Sequence, residues 1–112
     1  QRQMCIRDSA KLMNMAEDGT KVGLTVLGPN MAWGREMLLW NASKLMQTCT
    51  NSEEIVSMLT VNPAEFFGVS DRIGQLKAGL DADYLIYEGN PIEKCNAVLL
   101  ETVINGETVY QA

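Results

Sequence analysis

Three observations predict an α/β chain. A helix, an apolar strand-like run and an amphipathic helix follow one another over residues 10–48, and two short capped helices continue to Gly68. Beyond Gly68 the texture turns to β-branched runs separated by Gly, Asn and Pro. In residues 10–17, Leu12, Met13, Met15 and Ala16 recur at helical spacing and Asp18-Gly19 closes the helix. Residues 21–27 form an apolar run closed by Gly28-Pro29-Asn30, the pattern of a strand buried on both faces.

Residues 31–48 carry Leu38, Ala42, Leu45 and Cys49 on one helical face, and Glu36, Ser43 and Gln47 on another. Trp40 falls on the second side, facing solvent or a partner surface, while Met31, Met37 and Met46 read as adaptable core filler. Asn51 before Ser52-Glu53-Glu54 opens a helix with Ile55, Val56, Met58 and Leu59 as its apolar set. Asn62, with Pro63 at N1 and Glu65 at N3, is expected to cap another, which Gly68 ends.

Strands are expected at 73–76, 83–87, 98–104 and 107–110. Asn105-Gly106 is the dipeptide of a type I′ hairpin turn, because both central residues need positive φ. A two-residue loop sets Ile104 opposite Glu107, Val103 opposite Thr108, Thr102 opposite Val109 and Glu101 opposite Tyr110. The face carrying Leu100, Thr102, Ile104 and Val109 is expected to be buried.

Composition narrows the function classes. The 112 residues suffice for one modest domain, which buries about 60 to 70% of the surface of its unfolded chain. Nine Lys and Arg against fourteen Asp and Glu leave a net charge of −5, so a nucleic-acid or anionic-membrane partner is not expected. With no histidine, the chain supplies no Ser/His or Cys/His pair and no His-ligated zinc. Cys5, Cys49 and Cys95 are widely spaced and lack a CxxC pair, the usage of a reduced cytoplasmic protein. No apolar run approaches the roughly 18 to 20 residues that span a bilayer. Met4-Cys5-Ile6-Arg7-Asp8-Ser9 resembles the translation of a DNA-library adapter. Residues 1–9 are therefore expected to be artefact or disorder, with the genuine protein beginning near Ala10.

Three linked motifs carry a resemblance. Thr60-Val61-Asn62-Pro63-Ala64-Glu65-Phe66-Phe67-Gly68-Val69 comes first. Asp71-Arg72-Ile73-Gly74-Gln75-Leu76-Lys77-Ala78-Gly79-Leu80-Asp81-Ala82-Asp83-Tyr84-Leu85-Ile86-Tyr87 follows, then Gly89-Asn90-Pro91. In this order they resemble the C-terminal signature of the metal-dependent amidohydrolases, in particular the imidazolonepropionase-like branch, and residues 103–110 are similar to how those chains end. Read residue by residue, the same motifs are scaffold: a helix start, turn glycines, and short carboxylates that accept backbone hydrogen bonds.

The resemblance implies that residues 10–68 are the last strand and helices of a (β/α)₈ TIM barrel, and residues 69–112 the C-terminal strands of a small composite β-sandwich. It implies a longer parent hydrolase acting on non-peptide C–N bonds of a small-molecule substrate such as a cyclic amide. That parent would use a water activated by divalent metal, zinc or similar. The fragment itself is expected to bind no metal or cofactor and to be inactive alone; a homo-oligomer is compatible with the reading.

Within such a barrel the eighth strand ends in a metal-binding Asp, and aligning on Pro29 puts Leu27 there. No catalytic or metal residue is therefore expected in this chain. Gly28, Pro29, Asn30, Met31 and Trp33 are the candidate pocket-lining residues, since ligands of such barrels sit among the loops after the strands. Two other classes compete: a non-catalytic homologue, which Leu27 favours, and a self-contained α/β binding or assembly module.

Overall fold

Helix α1 (Arg2–Glu17) opens the chain, followed by α2 (Met31–Leu45), α3 (Ser52–Leu59) and α4 (Val61–Phe66), then β1 (Tyr84–Glu88), β2 (Val98–Ile104) and β3 (Glu107–Gln111). This computed structural model describes the backbone of residues 2–25, 31–48 and 51–112, and the side chains of 9–25, 37–48 and 51–112. The α-then-β order agrees with the sequence reading. The first helix begins at Arg2 and so runs through part of the stretch read as artefact or disorder. Neither Gly nor Pro interrupts residues 2–17, so a helix once nucleated propagates through them.

Two helices end in the same way. Gly19 (φ 84) follows α1, its N–H donating to Ala16 O at 2.9 Å while Thr20 N–H donates to Met15 O at 3.0 Å. Gly68 (φ 68) follows α4, donating to Glu65 O at 3.0 Å while Val69 N–H donates to Ala64 O at 2.9 Å. Both are Schellman closures, in which a left-handed residue turns the chain back to satisfy the last carbonyls. At the other end of a helix, Asn51 caps α3, its side chain accepting from Glu53 N–H at 3.1 Å.

The core lies among the helices. Met13 of α1, Val22, Ala42 and Leu45 of α2, Ile55 and Met58 of α3, and Ile92 form one buried cluster, with Leu12, Ala16, Leu24, Met46 and Leu59 packed around it. Ile92 comes from the loop between β1 and β2, so the sheet's own connection inserts an apolar plug among the helices. Polar contacts help to hold that loop: Ser43 Oγ donates to Pro91 O at 3.4 Å, and Asn90 Oδ1 accepts from Ile92 N–H at 3.0 Å. Trp40 lies on the exposed side of α2, as its spacing suggested, with Lys44 Nζ 5.7 Å from the ring centre.

The strands make one antiparallel sheet in the order β1-β2-β3. Asn105 (φ 52) and Gly106 (φ 78) occupy the hairpin turn as the dipeptide requires. The first two expected pairs hold, Ile104 with Glu107 and Val103 with Thr108. A bulge then slips the ladder, so Thr102 faces Tyr110 and Glu101 faces Gln111. The extra residue is Val109, which was expected opposite Thr102.

The buried face is also corrected. Val103 is 3% exposed, whereas Leu100, Ile104 and Val109 are all exposed and Thr102 is half-buried. Strand side chains alternate sides, so burying Val103 turns Thr102 and Ile104 to the other face, and among the described residues no second layer covers that face.

Two further expectations change. Residues 21–25 form no strand, because among the described residues no neighbouring strand pairs with them. Residues 73–76 form a bend at Gly74 (φ 98), where a Cβ would lie 2.8 Å from the Ala64 Cβ and 3.2 Å from Thr60 O. Only a glycine permits both this backbone conformation and that approach to α4.

Candidate functional site

The sequence places the candidate site just after residues 21–25, and contacts from α3 and α4 hold that stretch. Leu24 N–H donates to Met58 O at 2.9 Å, and Asn62 Nδ2 donates to Val22 O at 2.7 Å. Lys21 pairs with Glu65 at an exposed position, a contact of small energetic weight. A Cβ on Gly23 would lie 2.9 Å from Phe66 Cε2 and 3.7 Å from Pro63 Cγ, so the backbone crosses close above the α4 side chains. Paired strands would satisfy these backbone groups by a ladder; here helix-borne groups do so.

Asn62 was expected to cap the helix containing Glu65. Instead α4 begins at Val61 with Thr60 at the cap position, without a side-chain cap bond, and Pro63 is the third residue of its first turn. Proline is tolerated there because the first helical N–H groups have no intrahelical acceptor. The Asn62 amide is thereby free to reach a carbonyl remote in sequence. A local reading cannot anticipate this partner, because the capping pattern is satisfied by the sequence alone.

Of the sequence-derived site residues, Leu27, Gly28, Pro29 and Asn30 lie outside the described residues. Met31 and Trp33 belong to the first turns of α2, with their side chains outside the described set. Elsewhere several carboxylates accept structural hydrogen bonds. Asp81 accepts from Arg72 Nη2 at 2.7 Å, Asp83 from Asn105 N–H at 2.7 Å, Glu101 from Thr108 Oγ1 at 2.6 Å and Glu93 from Asn90 Nδ2 at 3.0 Å. Among the described residues no three His, Cys, Asp or Glu converge on a point that could hold a metal ion. An open hollow of about 420 Å³ lies beside Leu76, Lys77, Asp81 and Tyr84. Its one carboxylate already pairs with Arg72. The described residues therefore position backbone and assemble no metal cage.

The family model described as "Amidohydrolase family" matches residues 28–110. With well over half of the chain matched, the protein belongs to the amidohydrolase family. A crystal structure of an amidohydrolase from Thermotoga maritima MSB8 superposes with a TM-score of 0.81 at 28% identity, over 93% of this chain and 26% of that one. A second amidohydrolase crystal structure superposes with a TM-score of 0.71 at 20% identity, again over 93% of this chain and 26% of the other, and speaks for the fold alone. The chain thus spans about a quarter of the length of these solved structures. No curated protein matches it.

Proposed function

We propose that this chain is the C-terminal part of a longer hydrolase that cleaves non-peptide C–N bonds in small molecules such as cyclic amides. In this reading residues 10–68 complete a (β/α)₈ barrel and residues 69–112 supply strands to a composite sandwich. The observation that carries it is the family match over residues 28–110, together with a superposition that uses almost all of this chain and only a quarter of its neighbour. The exposed sheet face bearing Leu85, Ile104 and Tyr110 is consistent with strands that another part of the protein covers.

The described residues do not fit a divalent metal: the chain has no histidine, and the described carboxylates do not converge. In this reading the metal ligands are supplied by the rest of the longer protein, and the described residues of this chain contribute by placing backbone. Expression of the longer protein in the cytoplasm and assay against a panel of cyclic amides and ring amines tests the reading. Turnover by the longer protein and none by this chain is expected; a full-length protein inert to every C–N substrate would overturn it.

A non-catalytic homologue is favoured by one specific observation, Leu27 at the position where the resemblance puts an acid. Leu27→Asp in the longer protein separates the two readings. Gain of hydrolysis from an inert parent marks lost catalysis, whereas an active parent that loses activity on the change marks a divergent site in which leucine serves.

A further inference from the structure

We infer that Asn62 is a positioning residue, whose amide fixes where residues 21–25 cross the helical layer and so where the chain enters the stretch beginning at Val26. The inference rests on the reading of the parent as a hydrolase only for its catalytic consequence; the latch itself is geometric. The 2.7 Å bond from Asn62 Nδ2 to Val22 O is partly buried and joins segments 40 residues apart. It works beside a second bond, Leu24 N–H to Met58 O at 2.9 Å, so the buried Val22 is tied to α4 and the half-buried Leu24 to α3. Phe66 beneath Gly23 blocks movement toward the helix, since an added Cβ there already meets its ring at 2.9 Å. Upward movement is resisted by the two hydrogen bonds. An extended segment without strand neighbours has no ladder to set its register, so these contacts set it.

Asparagine suits the role because it is neutral and carries two N–H donors, which a carbonyl accepts without a buried charge. Asn62→Asp keeps the size, removes the donor and sets a carboxylate oxygen against the Val22 carbonyl. Losing one such bond is expected to speed amide exchange at Leu24 by about tenfold, while α3 amides keep their wild-type rates. Ile55→Val serves as the control, a core change that speeds all globally exchanging amides together. Asn62→Gln retains the donor and is expected to restore most of the protection. If Asn62→Asp does not fold, Asn62→Ser is read by the same criterion.

An unchanged Leu24 rate, or a rise shared equally by Leu24 and α3 as in the control, overturns the latch. In the longer protein the same Asn62→Asp change is expected to lower kcat by about tenfold at unchanged KM, with Asn62→Gln recovering it. Unaltered kcat overturns the positioning role. A wild-type parent without turnover counts against the hydrolase reading and leaves the exchange data to decide the latch.

Discussion

Gly74 shows how one residue can hold two constraints. Its φ of 98° is costly for any residue with a Cβ, and a Cβ would sit 2.8 Å from the Ala64 Cβ. Gly74→Ala is expected to cost about 1 to 3 kcal/mol, since strain and overlap act together. Urea titration of the two proteins reads this directly, and an unchanged midpoint would remove the argument. At Ile55 the constraint is volume. The side chain is fully buried, so Ile55→Ala should cost about 2 to 5 kcal/mol, whereas Val56, exposed on the same helix, should tolerate alanine with little loss. Helical spacing in the sequence named Ile55 and Met58 as core, and both are. It also listed Val56, which the helix turns outward because it lies beyond the edge of the stripe formed by Ile55, Met58 and Leu59.

At the scale of elements, local chemistry was most legible where a feature closes within four or five residues. Asn51 caps α3 as read, and Asn51→Ala should lower stability by about 0.5 to 2 kcal/mol and reduce helical circular dichroism before the global transition. The Gly19 and Gly68 helix ends and the Asn105-Gly106 turn were legible for the same reason. Elements that need a distant partner were not. Residues 21–25 have the composition of a buried strand but become a strand only when neighbours pair with them. The hairpin register holds next to the turn and fails at the Val109 bulge, because a turn dictates only the pairs nearest to it. Deleting Val109 should straighten the ladder and place Thr108 and Tyr110 in uninterrupted register. Cross-strand nuclear Overhauser effects would then run through Val103–Thr108, Thr102–Tyr110 and Glu101–Gln111 without a gap, and a Glu101–Tyr110 pair would contradict it.

For the whole molecule, the helical layer and the sheet are joined through Ile92 and through the strap between Gly68 and Tyr84. The strap is tied to α4 at Gly74 and to the hairpin by Asp83 and by the Ala82 carbonyl, which accepts from Gly106 N–H at 3.0 Å. Ile92→Ala is expected to cost about 2 to 5 kcal/mol although it lies in a loop, since its side chain is 4% exposed within the helical core. A loss no larger than that of an exposed-loop substitution would mean that the plug does not couple the two layers. The molecule also presents much apolar surface: Phe67 is 82% exposed and Leu76 76%, besides the sheet face with Leu85, Ile104 and Tyr110. The 112-residue chain alone is therefore expected to self-associate at micromolar concentration and to bind a hydrophobic dye. Sedimentation velocity settles this, and a monodisperse monomer with a sharp cooperative melt would mean that those surfaces need no partner.

Taken by itself, the sequence determined the α-then-β order, the Asn51 cap, the Gly19 and Gly68 helix ends, the hairpin turn and the amidohydrolase membership. Each of these is written in residue identity or in spacing shorter than one turn of structure. Only the tertiary structure decided which sheet face is buried, where the ladder bulges, that Ile92 enters the helical core, and that Asn62 reaches Val22 instead of capping its own helix. Those outcomes depend on which surfaces meet. A side chain with several satisfactory partners takes the one that long-range packing brings within reach.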